Sequence, residues 1–200
     1  MPSSSTPQTK SHPRLDRLKR PTYHSAWRPH PEGNVVKDLE NYKAGLDAAY
    51  QGEFYGIAMY RRIADARHHP EEKEKWHLLA RLEEVTRSVL EAAVQRHNMA
   101  TGARAESTEA GEQDAVNYMN LPWDQLMRRF SHELDDDIAE YSALLEIAPP
   151  SDHETIRFLI DHEIVAKAFC ERELDGNTDL SVEPVEALIA RGGALMGAPL

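Results

Sequence analysis

Four acidic residues stand where apolar ones belong. Counted by sevens, the chain reads Leu39, Leu46, Glu53, Tyr60, then Trp76, Glu83, Leu90, then Trp123, Phe130, Asp137, Leu144, and finally Ile156, Glu163, Cys170. Each series follows the inward stripe of an amphipathic helix, which recurs at steps of three and four residues, and each is interrupted once by a carboxylate. An unpaired buried carboxylate costs several kcal/mol even after its surroundings relax, whereas a whole domain is stable by only about 5–15 kcal/mol. Four such groups must bind metal, hold protons, pair with cations, or stay wetter than the helical pattern implies.

Other side chains bear on that choice. His162 lies about 100° round its helix from Glu163, on an arc with Phe158, Val165 and Phe169. It turns inward as a ligand or sits as a hydrogen-bonded core or edge histidine. By the same count His77 and His132 fall on polar faces, and His68 and His69 fall in a turn. Arg87 follows Glu83 by four residues and Lys167 follows Glu163 by four, the favourable helical ion-pair spacing. Tyr141, one turn from Asp137, is either a core aromatic whose hydroxyl finds a partner or a redox-active side chain. Cys170 reads as a small core hydrophobe. There is no glycine-rich phosphate loop, no Cys-x-x-Cys and no Ser-His-Asp arrangement.

The elements that must position the acids are helices. The first starts near Asn34, a good N-cap, and runs to about Ala66. The second opens at Pro70, with Glu71 and Glu72 suiting the positive end of the helix dipole, and ends before Gly102. Residues 99–121 carry no sustained periodicity. A third helix begins at Pro122 and is stopped by Pro149-Pro150. Ser151 and Glu154 form a capping box for a fourth, which Gly176 closes. A short last helix follows Pro184 and ends at Gly192-Gly193. Two helical hairpins thus flank one long connection. A connection longer than about 12–15 residues needs a reason, and a crossover running the length of a bundle supplies one. The expected fold is all-α, an antiparallel four-helix bundle with a long crossover between helices 2 and 3, plus a short C-terminal helix. The expected divisions are a basic extended or disordered arm over 1–33, the bundle over 34–178, and a C-terminal segment over 179–200.

Helix order, helix lengths and crossover resemble the ferritin-like superfamily (ferritins, rubrerythrins and di-iron carboxylate oxygenases) over roughly residues 35–176. Leu79-x-x-x-Glu83-x-x-Thr86 and Leu159-x-x-x-Glu163-x-x-Ala166 are similar to that superfamily's internal repeat. The resemblance implies two iron or manganese ions, held by Glu53 and Asp137 as terminal ligands and Glu83 and Glu163 as bridging ones, and it carries over no histidine, which leaves His162 as a candidate from its place beside Glu163 alone. It implies O₂-dependent oxidation of a small organic molecule. The chain departs from the family where Glu-x-x-His is expected, since Thr86 and Ala166 occupy the histidine positions and Asp137 stands where Glu is usual. That departure supports an alternative, a metal-free structural or binding module whose acids pair with Arg87, Lys167 and Arg61.

Two hundred residues suffice for one domain with a sizeable core. The net charge of -11 argues against nonspecific attraction to nucleic acid or anionic membrane. It is unevenly spread: Lys10, Arg14, Arg17, Lys19, Arg20 and Arg28 face only Asp16 and Glu32 in the arm. Tyr23 and Trp27 suit that arm to clasp the bundle or a second copy in a homodimer, unless it is a solvated tail. A lone cysteine fits a reducing, cytoplasmic setting. No run of about 18 apolar residues predicts a membrane span, and the N-terminus lacks the apolar stretch of a secretory signal.

Overall fold

The computed structural model describes residues 35–197, with side chains from residue 38 onward. The arm expected over 1–33 lies outside them. The described residues form six α-helices and no strand. They are α1 (Val35–Ala66), α2 (Pro70–Arg96), α3 (Ala105–Ala115), α4 (Trp123–Ile147), α5 (His153–Leu174) and α6 (Glu183–Gly197). No described helix is long and apolar enough to cross a membrane.

Local chemistry accounts for most boundaries. Pro70 occupies the first turn of α2, with Glu71 and Glu72 beside it and Arg96 in the last turn, each favourable against the helix dipole. After α5, Gly176 adopts φ 79°. The amide of Asn177 donates to the Arg172 carbonyl at 2.9 Å and that of Gly176 to Glu173 at 3.4 Å, which satisfies carbonyls the helix end leaves open.

The helix contacts are most extensive between α1 and α2 and between α4 and α5. Between α1 and α2, Tyr42 packs on His97, Phe54 lies under Arg87, and Tyr60 packs on Trp76, so one helix descends as the other rises. Between α4 and α5, Trp123 Nε1 donates to Glu173 at 2.9 Å and Asp135 pairs with Lys167. Across the pairs, Lys75 meets Glu173 while Arg96 and His97 meet Asp152, which sets α2 against α5. Gly45 abuts Leu144 and Tyr60 packs on Phe130, which sets α1 against α4.

Three local expectations need correction. The connection between α2 and α4 contains a helix, α3, packed on α1. Its buried residues are Ser107, Gly111 and Ala115, a small-residue face with no apolar stripe to announce it. Gly111 lies against the Tyr55 carbonyl, where a Cβ would collide with backbone. The Ser151/Glu154 capping box does not form. A 3-10 turn, Pro150–Asp152, precedes α5, and α5 has no side-chain cap. Asp152 is instead fully buried, accepting from Tyr42 Oη at 2.8 Å, Arg96 Nε at 2.9 Å and Ser151 Oγ at 3.2 Å, with His97 Nε2 at 2.6 Å. Lastly, α6 runs through Gly192-Gly193 to Gly197. Gly192 is there because α6 presses on Val85 and Phe158, leaving no room for a side chain.

The apolar core is in two parts. One gathers Tyr60, Trp76, Phe130 and Phe169, and the other Tyr42, Leu46, Leu90, Leu144 and Leu159. On α1 the changeover falls between Tyr50 and Tyr55, and on α4 between Leu134 and Tyr141. Glu53 and Asp137 occupy those gaps. These two acids therefore sit where the core divides.

Candidate metal centre

Each acid arrives from a different helix: Glu53 from α1, Glu83 from α2, Asp137 from α4 and Glu163 from α5. All four are buried, with relative exposures of 2%, 6%, 7% and 7% in that order. The seven-residue spacing explains this, because Leu46, Tyr60, Trp76, Leu90, Phe130, Leu144, Ile156 and Cys170, one heptad away on either side, are buried too. Only the terminal members stray, with Leu39 exposed and Trp123 half-buried. The four carboxylates and Tyr141 line one cavity of about 30 Å³, together with Gly52, Tyr55, Gly56, Met59, Tyr60 and Leu134. In the acidic run on α4, Asp135 and Asp136 are exposed and Asp137 alone is buried with the centre.

His162 joins them. It is 2% exposed, because α5 is covered by α6 as well as by α2 and α4, and its buried arc widens to include Phe158 and His162 beside Leu159 and Glu163. Its Nε2 lies 3.2 Å from Glu83 Oε1, and its Nδ1 lies 3.7 Å from Glu53 Oε2. Donor atoms of Glu53, Glu83 and His162 all fall within 4.8 Å of one another. Glu53 Oε2 and His162 Nδ1 are buried with no hydrogen-bond partner among the described residues. Buried polar atoms are nearly always satisfied; these two lie within ion-pair range of each other but beyond hydrogen-bond distance.

Electrostatics follow from this crowding. Burial, and then the charge of Glu83, push the Glu53 carboxyl well above its usual range, against an opposing pull from His162. Burial alone would lower His162, but the carboxylates of Glu83, Glu163 and Glu53 raise it to about 10. Burial and the nearby charges of Glu163 and Asp137 hold the Tyr141 phenol well above its ordinary value. Without a metal ion, the crowding thus shifts Glu53 toward its protonated form and favours an imidazolium at His162.

No protein-family model, curated protein or solved structure matches this chain. The donor set itself must carry the functional reading. Carboxylate oxygens with one imidazole nitrogen fit iron or manganese, once His162 gives up its proton.

The cations expected to neutralise the acids do not do so. Arg87 pairs with Glu91 at 2.8 Å, Arg61 with Glu84, and Lys167 with Asp135 and Glu171. The spacing was right for a helix surface, but each cation lies on the half-exposed side and reaches the nearest acid there. Thr86 and Ala166, at the missing histidine positions, are both buried. Thr86 Oγ1 donates to the Leu82 carbonyl at 3.0 Å, so it is occupied within its own helix. His77 and His132 are exposed.

Gly56 escaped the sequence reading. Glu83 places its carboxylate over Gly56 where a Cβ would stand. That glycine is what lets the acid reach across from α2 into the centre. A signal existed: Gly52 and Gly56 flank Glu53 at helical spacing inside a long helix, where each glycine costs about 1 kcal/mol relative to alanine.

Proposed function

We propose that α1, α2, α4 and α5 form a ferritin-like antiparallel four-helix bundle whose interior holds a carboxylate–histidine metal centre. The α2–α4 connection, carrying α3, is its crossover. Glu53, Glu83 and His162 would hold one ion, with Asp137 and Glu163 completing a two-ion centre, iron favoured over manganese. When bound, redox-active iron supplies O₂-dependent oxidation, and the reading is that of an oxidase or oxygenase with a small organic molecule as reductant. The chain's own part is to exclude water, to fix the donors on four rigid helices, and to surrender the protons of Glu53 and His162 as metal is taken up. Tyr141, buried against the carboxylates beside Tyr55 and Tyr60, is a side chain able to pass an electron and a proton together. The observation that carries the reading is the pair of unsatisfied atoms, Glu53 Oε2 and His162 Nδ1, 3.7 Å apart inside a ring of acids.

Anaerobic addition of Fe(II) to chelator-treated protein tests it. About two ions should bind per chain, as in a di-metal bundle, and the melting temperature should rise. No bound iron and an unchanged melting temperature would remove the proposal.

A second reading has its own support. His162 lies within 3.2 Å of Glu83, so an imidazolium there neutralises the acids without metal, and the bundle serves as a structural or binding module. Chelators would then leave stability unchanged, and His162→Ala would destabilise protein that had never seen metal.

A further inference from the structure

The centre is closed to anything large. Its cavity of about 30 Å³ has room for a water or a diatomic molecule, whereas sites for organic ligands are about 300–1,000 Å³. Larger grooves exist, of about 410 and 550 Å³, but they lie on the outer face of α1 around Phe54, Ile57 and Arg61 and share no lining residue with the centre. Only one cavity-lining position of α1 is free of bulk and not fully covered. Gln51 and Glu53 are each 2% exposed, yet Gly52 between them is half-buried. A Cβ at Gly52 would meet nothing within 4 Å except the Tyr141 hydroxyl, at 3.8 Å. Gly52 thus sits at the α1–α4 seam with Tyr141 opposite and Glu53, bearing one of the two orphaned atoms, next in sequence.

We propose that reactants reach the centre through the α1–α4 seam past Gly52 and Tyr141, and that this passage admits only molecules about the size of dioxygen or hydrogen peroxide. This rests on the metal reading above and names the reactant class of that same site. An organic reductant then stays at the mouth beside Gly52 and does not enter the carboxylate cluster, which narrows the oxidase-or-oxygenase reading to an oxidase. The side-chain-free position accounts for a helix-interior glycine that packing alone does not require, since an alanine fits there.

The test uses full-length protein loaded anaerobically with Fe(II), with nitric oxide as a spectroscopic probe and two oxidants of different size. Gly52→Ala and Gly52→Leu should both keep the wild-type metal content at equilibrium. Nitric oxide association should slow by about tenfold or more in Gly52→Leu, because passage then waits for a side chain to move, and less in Gly52→Ala. In the wild type, hydrogen peroxide should oxidise the iron much faster than cumene hydroperoxide does. An unchanged nitric oxide rate in Gly52→Leu, or equal rates for the two peroxides, overturns the passage. Loss of metal in either variant also overturns it, since Gly52 would then belong to the binding site. Wild-type protein that binds no iron defeats the metal reading first, and the passage with it.

Discussion

Removing metal should make the stability of this protein fall as pH rises from neutral to alkaline, and His162 should be responsible. Its folded-state value of about 10 stands above the ordinary 6.5. Folding therefore binds a proton in that interval, and the associated stability is complete below about pH 6.5 and lost as pH rises through about 10. Glu53 acts in the same sense, because its carboxyl is also raised. The gap between 6.5 and 10, at about 1.4 kcal/mol per pH unit, sets a ceiling of roughly 5 kcal/mol, comparable to the whole stability of a small domain. The physical event is simple: a neutral imidazole leaves the carboxylates around it without a cation. Urea unfolding of chelator-treated protein at intervals from pH 6.5 to 10 measures it, and His162→Gln isolates it. The variant should be less stable than wild type near pH 7 and should converge on it by pH 10. Iron should reverse the slope, since metal needs both donors deprotonated and so stabilises more at higher pH. A wild-type profile that is flat, or that matches His162→Gln throughout, would refute the imidazolium.

Three further outcomes follow from particular contacts. Gly56→Ala should displace the Glu83 carboxylate, which occupies the space of that Cβ; iron affinity should drop on the order of 10–100-fold, as when a metal's supporting contact is lost, while the helix itself gains from alanine. Asp152→Asn should cost about 3–5 kcal/mol in urea unfolding, because it strips the charge from a buried group serving Arg96 and His97. Burial would raise Asp152, but hydrogen bonds from His97, Arg96 and Tyr42 outweigh that and lower it, so its contribution is present above about pH 4 and lost as pH falls further; the variant should flatten the acid limb of the stability profile. Gly192→Ala should destabilise by about 1–3 kcal/mol through overpacking against Val85 and Phe158, with thermal unfolding as the measure and iron content unaffected.

The helices carrying the acids were legible because long amphipathic segments repeat one signal many times. Trp76, Glu83 and Leu90, or Phe130, Asp137 and Leu144, sit one above another whatever the helix packs against. The boundaries that failed lack such repetition. The buried residues of α3 are Ser107, Gly111 and Ala115, whose value is that α1 can come close, and closeness leaves no hydrophobic trace in a sequence. Ser151 and Glu154 have the right spacing for a cap, yet Asp152 between them is claimed by Tyr42 of α1 and by Arg96 and His97 at the end of α2. A tertiary network of charged hydrogen bonds outweighs a local one. Gly192 reads as a stop until Val85 and Phe158 are known to lie against it.

The centre itself divides the same way. Heptad counting brings four carboxylates inward, but it cannot say what neutralises them, because that depends on which helices flank α5. Arg87 and Lys167 were the local choices and both turn to surface partners. His162 is the tertiary choice: it stands one residue before Glu163, off the narrow stripe of a helix with a single buried side, and lies one turn from Phe158, which α6 covers through Arg191 and Gly192. The short C-terminal helix, which holds no acid of the cluster, thus helps to bury the side of α5 that carries the imidazole. Its placement also explains how a sequence lacking histidine at positions 86 and 166 can still present a nitrogen donor to Glu53 and Glu83, from the turn of α5 that precedes the expected one.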